Sequence, residues 1–353
     1  MPQGTISNQQ LDETDPVSAG YQTLVDAASQ YLGADGLARL HRAFEFGRDA
    51  HAGQRRDSGI PYFTHPIAVA SLLAEMKLDN DTLITALLHD TVEDCDVSLE
   101  ILAKAFGGDV AELVNGVTKL SQIELKSIDT KQAENFRKFV LAVGRDIRVL
   151  LVKLADRTHN MQTLGAVKKD ERRWRIANET MEIYAPLAER MGITRFQQEL
   201  EDLAFQELQP ELRESIVSRL DFLAIETEQV VPDICAELKR LIQTHDIDCE
   251  VTGRRKTPYS ISRKMKVKNV TMEQLADVMA FRIIVPDSVA CSQVLGILHT
   301  HFPVVMARTW HGDMAEIWRR YGGDTAEIRR RYGKLLPHLA RRGPGQPRPA
   351  SVR

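Results

Sequence analysis

The sequence predicts a mainly α chain in three zones. A compact all-α domain spans residues 34–209, a smaller α+β region spans 247–305, and a basic helical tail spans 306–353. Three observations predict this division. From Ala34 to Gln209 nearly every segment repeats apolar residues at helical spacing, with short polar joints. After residue 246 short β-branched runs appear, bounded by turn formers. From Met306 to Arg353 there are eleven Lys or Arg against four Asp or Glu, while the whole chain has a formal net charge of −3.

The elements follow in order. MPQGTISNQQLDETDP is polar and acidic, unlike a signal peptide, and residues 1–33 read as a disordered tail. LARLHRAFEFGRDAH (37–51) has helical periodicity, and Pro66 opens PIAVASLLAEM as proline does in a first turn. Asn80 or Asp81 caps a helix that runs through LLHDTVEDC (87–95). Ser98, Asp109 and Asp146 start further helices, the last being IRVLLVKLADRTHNM. Residues 210–246 form an amphipathic linking helix. DCEVTGRRK and AFRIIVP read as strands, SISRKMK and SQVLGILHTHF as helices. In the tail, GDMAEIWRRYG (312–322) is followed at once by GDTAEIRRRYG (323–333), an eleven-residue repeat that predicts one or two basic helices.

Composition narrows the function. Apolar residues make up 43% and charged residues 27%, an ordinary globular balance with no sign of DNA binding. No apolar run reaches the length of a bilayer span, so no membrane association is expected. Cys95, Cys235, Cys249 and Cys291 lie far apart without a CxxC pair. That argues against a disulfide framework and for a reducing, cytoplasmic setting.

The chemistry concentrates in LLHDTVEDC. Residues four apart on a helix share a face, so His89 lies under Glu93 and Asp90 under Asp94, beside the core-facing Leu87, Leu88 and Thr91. Left unpaired, such a cluster is costly to bury and repels itself; a divalent cation removes both problems. His65 in YFTHP and Asp156 in KLADRTHNM complete a two-nitrogen, two-oxygen set that suits manganese and lacks the sulfur of a structural zinc site. Taken singly these residues have plain readings: a helix-end salt bridge at Asp156-Arg157, a solvated face at Glu93 and Asp94, a packing role for His65. The joint pattern favours a metal. Arg56 could grip a phosphate oxygen in two-pronged fashion. Lys153 and Arg157 lie one turn apart around Asp156, and Asn160 and Thr163 continue the series as neutral hydrogen-bonding groups.

HAGQRRDSGIPYFTHP, LLHDTVEDC and VKLADRTHNMQTL resemble the hydrolase domain of the RelA/SpoT family, which makes and destroys the alarmone (p)ppGpp; the resemblance runs from about Leu37 to Val305. It implies a helical HD-type domain holding one Mn²⁺ through His65, His89, Asp90 and Asp156. It further implies attack of metal-activated water on the 3′-diphosphate, giving GDP or GTP plus pyrophosphate. Glu93 and Asp94 match the family's catalytic pair; Arg56, Asn160 and Thr163 match positions lining its nucleotide pocket. Family members often carry Lys after that Arg, where this chain has Asp57.

GRRKTPYSISRKM resembles the family's synthetase motif, a nucleotidyltransferase-like segment that binds ATP phosphates and the transferred pyrophosphate. Arg254, Lys256, Tyr259, Ser260 and Lys264 match it, and Asp277 in DVMAFRIIV matches the carboxylate that holds Mg²⁺. The Asn-Gly-Tyr loop and the Glu-x-Gln-x-Arg strand of family synthetases do not occur. From Met306 the sequence is unrelated, so half of a mixed sheet is expected to stand with an open edge or to be patched by the basic tail. The leading expectation is therefore a Mn²⁺-dependent (p)ppGpp 3′-pyrophosphohydrolase, with Mg²⁺ needed only if the synthetase segment works. The competing ones are a bifunctional synthetase–hydrolase, a catalytically silent alarmone-binding regulator and, less favoured, a generic HD phosphohydrolase. The partner of the tail is not specified by the sequence.

Overall fold

A computed structural model describes residues 15–122, 146–227, 230–275, 279–302 and 325–328. The chain divides into two units, Met1–Leu208 and Gln209–Arg353.

The first unit is helical throughout its described residues. Helix α1 (Pro16–Ser29) is capped by Asp15, whose carboxylate accepts the Ser18 N–H. This corrects the expected tail: Tyr21, Leu24 and Ala28 are buried in the main core, so ordered structure begins well before residue 34. Their spacing along the helix gives α1 an apolar stripe, which packs on α3 (Thr64–Ala74). Helix α2 (Ala34–Ala50) lies against α4 (Asn80–Leu88). Gly47 is required there, since a Cβ at that position would stand 2.5 Å from the Phe63 ring. The cap of α4 is Asp79, one residue before the expected Asn80; the Asn80 amide instead donates to the Gly36 carbonyl and ties α4 to α2.

Helix α4 does not run through LLHDTVEDC. It ends at Leu88, and a single turn, α5 (Thr91–Asp94), follows after His89 and Asp90. Helices α6 (Leu99–Phe106) and α7 (Gly108–Gln122) come next, and α8 (Ile147–Gln162) starts on the Asp146 cap as expected. Gly116 lets α7 and α8 approach, as a Cβ there would meet Val149 at 2.8 Å. Helix α9 (Asp170–Glu179) passes through a π-helical turn (Thr180–Tyr184) into α10 (Ala185–Arg190), and α11 (Thr194–Leu208) closes the unit. Helices α3, α4 and α8 contact one another. Their facing residues Ile67, Leu73, Leu83, Leu87, Leu150 and Leu154 are buried in one core.

In the second unit the expected linking helix is two helices, α12 (Pro210–Thr227) and α13 (Val230–Gln243). The second is no mere linker. Ile234, Leu238 and Ile242 share a core with Phe281, Ile283, Val294 and Leu298. The strands are β1 (Glu250–Arg255) and β2 (Met279–Ile284), and the helices are α14 (Pro258–Lys268) and α15 (Ser288–His301). A third strand, β3 (Thr325–Ile328), comes from the second copy of the repeat, where a basic helix was expected. The sheet order is β1-β2-β3, antiparallel throughout, with Val251 opposite Ile283 and Ile283 opposite Ala326. The physical reason is the free edge of β2, whose unpaired N–H and C=O groups take up a short Thr-Ala-Glu-Ile segment of good β propensity. The rest of the tail lies outside the described residues. No helix among the described residues is long and apolar enough to cross a membrane.

Candidate metal centre

Four side chains from three places converge in the helical unit. His65 stands in the first turn of α3, His89 and Asp90 at the α4–α5 junction, and Asp156 in the middle of α8. His65 Nε2 is 3.2 Å from Asp156 Oδ1 and 3.8 Å from Asp90 Oδ2. His89 Nε2 is 3.1 Å from Asp90 Oδ1 and 4.0 Å from Asp156 Oδ1. His65, His89 and Asp156 are buried, and one ligand atom from each lies within 4.8 Å of the others. Donors about 2.1 Å from a single ion sit about 3 Å apart in adjacent positions and about 4.2 Å apart in opposite ones. The observed separations span that range.

The hydrogen bonds assign both imidazoles the tautomer that a metal requires. His89 Nδ1 is 2.8 Å from the Ala86 carbonyl, which can only accept. Nδ1 therefore carries the proton and Nε2 is left with its lone pair. His89 Nε2 is buried without a hydrogen bond. At His65 the partner is His159: its Nδ1 accepts from Arg56 Nη1 at 3.2 Å and lies 2.7 Å from His65 Nδ1. A guanidinium only donates, so His159 Nδ1 is the acceptor and His65 Nδ1 is protonated. Both Nε2 atoms thus face the carboxylates as acceptors. Anchoring of the distal ring N–H is the usual arrangement behind metal-bound imidazoles. The donor set fits a divalent cation.

The charge balance agrees. Burial alone would raise the Asp156 carboxyl; the Lys153 ammonium and the two imidazoles outweigh it and hold it well below the usual carboxylate range. Burial works against charge on His89, yet Asp90 and Asp156 prevail and hold its pKa at about 9. Two buried carboxylates demand positive charge, and a proton on His89 is the substitute for a cation.

The surrounding residues divide sharply. Lys153 is buried, donating to Asp156 Oδ2 at 2.7 Å and to Ser121 Oγ at 2.9 Å. Its ammonium is spent on a carboxylate rather than presented to a ligand. Arg157 points elsewhere on α8: its guanidinium lies 4.0 Å from the centre of the Tyr184 ring and bonds Glu179 at 3.3 Å. The π turn brings Tyr184 under it. Arg56 Nη2 donates to Asn160 Oδ1 at 2.9 Å, and Asn160 Nδ2 donates to Asp156 Oδ1 at 2.6 Å. Thr163 donates to the His159 carbonyl at the end of α8. Asp57, where family members often have Lys, faces Arg172 at 3.6 Å.

Glu93 and Asp94 are solvent-facing on α5. Partial desolvation raises the Glu93 carboxyl pKa against the opposing Lys153, with Asp90 and Asp94 adding to the rise. Sequence reasoning missed Tyr62, whose hydroxyl donates to Asp90 Oδ2 at 2.7 Å and lies 3.2 Å from Asp94 Oδ2. Burial, then Asp90, pushes this phenol far above its ordinary range, so it stays a donor. His159 was also missed. Its signal was available: it follows Asp156 by three residues, and that spacing shares a helix face.

The synthetase-like residues belong to the second unit. Arg254 lies on β1, Lys256 follows it, and Tyr259, Ser260 and Lys264 lie on α14. Thr257 caps α14, accepting the Ser260 N–H at 3.3 Å. Asp277 falls outside the described residues.

Comparison with known proteins fits this division. Residues 43–194 match the HD domain, and residues 253–315 match the region found in RelA / SpoT proteins. The chain is 46% identical over 280 residues to the bifunctional (p)ppGpp synthase/hydrolase SpoT of Escherichia coli (strain K12), covering 79% of this chain and 40% of that protein. It is 45% identical over 288 residues to the guanosine-3′,5′-bis(diphosphate) 3′-pyrophosphohydrolase of Vibrio cholerae, covering 82% and 41%. To the GTP pyrophosphokinase rsh of Brucella ovis it is 42% identical over 285 residues, covering 81% and 38%. The chain thus spans about two fifths of the length of these relatives. With its HD domain and the region that follows it, this chain belongs to the RelA/SpoT family.

Proposed function

We propose that the helical unit is a (p)ppGpp 3′-pyrophosphohydrolase that works with Mn²⁺ and releases GDP or GTP and pyrophosphate. One observation carries the reading: two buried imidazoles turn their Nε2 lone pairs on the same buried carboxylate. His65, His89, Asp90 and Asp156 would hold the cation. When bound, the cation would neutralise phosphoryl charge and acidify water.

The chain's own groups supply the rest. Glu93, with its raised pKa, is suited to hold and pass a proton at the rim. Asp94 beside it completes the acidic pair. Arg56, fixed by His159 and Asn160, has further N–H groups to offer a diphosphate oxygen. Thr163 holds the end of α8 that carries His159 and Asn160. Lys153 contributes by fixing Asp156, and Arg157 by packing.

A second reading has its own support: the relatives named as synthase or pyrophosphokinase, and the third strand that covers the edge of β2. A Mg²⁺-dependent synthetase would draw on Arg254, Lys256, Tyr259, Ser260, Lys264 and Asp277. A paired assay separates the readings. With Mn²⁺ and ppGpp, the chain is expected to release GDP and pyrophosphate; with ATP, GTP and Mg²⁺, no ppGpp is expected. Intact ppGpp in the first arm rejects the hydrolase, and ppGpp in the second establishes bifunctionality.

A further inference from the structure

We propose that Tyr62 is a positioning residue that couples Asp90 to Asp94 through one shared hydroxyl proton and so sets which oxygen Asp90 offers to a cation. The inference rests on the preceding assignment of Asp90 as a metal ligand.

A phenol has one proton, and ionised carboxylates only accept. The Tyr62 hydroxyl is 2.7 Å from Asp90 Oδ2 and 3.2 Å from Asp94 Oδ2, so its proton engages Asp90 first and Asp94 second. Asp90 Oδ2 is thereby occupied. Its other oxygen, Oδ1, is the one 3.1 Å from His89 Nε2, on the side of the converging donors. Without the phenol, Asp90 and Asp94 would keep like charges close together with nothing between them, and Asp90 would be free to rotate.

Asp94 is held from a second direction. Gln54 Nε2 donates to the Asp94 main-chain carbonyl at 3.0 Å. That fixes the amide orientation, so Gln54 Oε1 accepts from His51 Nδ1 at 2.8 Å. The His51 ring, buried, stacks on the Tyr62 ring with centroids 4.9 Å apart and planes 25° apart. Tyr62, Asp94, Gln54 and His51 therefore form a closed circuit. The main chain closes it again, because the Tyr62 N–H donates to the Gln54 carbonyl at 2.9 Å. Such a circuit is needed because α5 is one turn long and has no side-chain cap. An isolated turn fixes six dihedrals for one hydrogen bond and does not hold itself. Tyr62 transmits the placement of the metal-holding junction to the two rim carboxylates.

The test is Tyr62→Phe in the full chain, which retains the ring stacked on His51. Mn²⁺ alone is titrated calorimetrically, and ppGpp hydrolysis is followed at saturating Mn²⁺. Loss of such an outer partner weakens metal binding by about 10- to 100-fold. We expect a weakening in that range, together with a kcat about tenfold lower and a KM changed less than about twofold. Unchanged Mn²⁺ affinity, with or without a lower Tm, overturns the proposal and leaves Tyr62 a packing residue. Gln54→Leu opens the same circuit on its far side and serves if the phenylalanine variant does not fold. A lower kcat at constant KM supports the circuit, and an unchanged kcat overturns it. Wild-type chain that binds Mn²⁺ but leaves ppGpp intact rejects the hydrolase reading, while the affinity comparison still decides the role of Tyr62. Wild-type chain that binds no Mn²⁺ rejects both.

Discussion

Lys153→Met separates two roles for one cation. The sequence places Lys153 in the nucleotide pocket; the fold places its ammonium 2.7 Å from Asp156 Oδ2 and 2.9 Å from Ser121 Oγ, buried under α7. Methionine keeps most of the length and removes the charge. Asp156 then remains buried with only the imidazoles to offset it. Removing one partner of a buried pair costs about 3–5 kcal/mol, because the other charge is left uncompensated. The lost hydrogen bond to Ser121 adds about 1 kcal/mol. The total is a large share of the roughly 5–15 kcal/mol that holds a domain together. A bound cation supplies positive charge to the same carboxylate, so the penalty should shrink when metal is present. Urea unfolding of wild type and variant should therefore differ by about 3–5 kcal/mol in chelator and by clearly less in saturating Mn²⁺. The KM for ppGpp should stay within about twofold of wild type. Equal stability in chelator combined with a raised KM would refute this reasoning and return Lys153 to the nucleotide.

Other perturbations probe neighbouring links. Asp90→Ala should lower the retained manganese from one per chain to near zero after dialysis, measured by elemental analysis, and should abolish hydrolysis. Chelator should stop ppGpp cleavage by the wild-type chain, and added Mn²⁺ should restore it; activity that persists in chelator would remove the metal from the reaction. Arg157→Met removes the cation from the Tyr184 face and leaves Glu179 unpaired. It should cost about 1–3 kcal/mol in a thermal or urea melt without moving KM. Gly47→Ala drives a methyl to 2.5 Å from the Phe63 ring and 3.2 Å from the Leu87 carbonyl. Overpacking of about 1–3 kcal/mol is expected, read as a lower Tm.

The parts of this molecule that were legible in its sequence are those governed by local rules. The Asp146 and Ser98 caps declare themselves by residue type. The apolar runs beside His89 and Asp156 mark both residues as inward-facing, and both are buried. What the sequence hid depends on chain segments distant from one another. Helix α1 looks like the end of a polar tail until α3 offers an apolar groove for Tyr21 and Leu24. Lys153 and Arg157 are equivalent by spacing, four residues apart on α8; only the position of Ser121 on α7, and of Tyr184 in the π turn, sends one inward to Asp156 and the other to a ring. The AEI repeat reads as helical in isolation. An unpaired strand edge turns four of its residues into β3. Asp277, which also bears on the synthetase segment, lies outside the described residues.

The break between α4 and α5 explains why the His-Asp pair can share a cation. On an unbroken helix, side chains of consecutive residues diverge by about 100°, so His89 and Asp90 would point to different neighbours. Asp90 instead adopts φ −94°, ψ −7°, in the sparsely used bridge region where many active-site residues are found. That departure of ψ from helical values swings the carboxylate round until Oδ1 stands 3.1 Å from His89 Nε2. Asp90 stays 19% exposed at its side chain, while His89 is buried. The imidazole thus faces the core and the carboxylate reaches the opening. A donor cluster with one side in the core and one at the rim can bind a cation and still admit a phosphate to it, which a fully buried four-residue cage could not do.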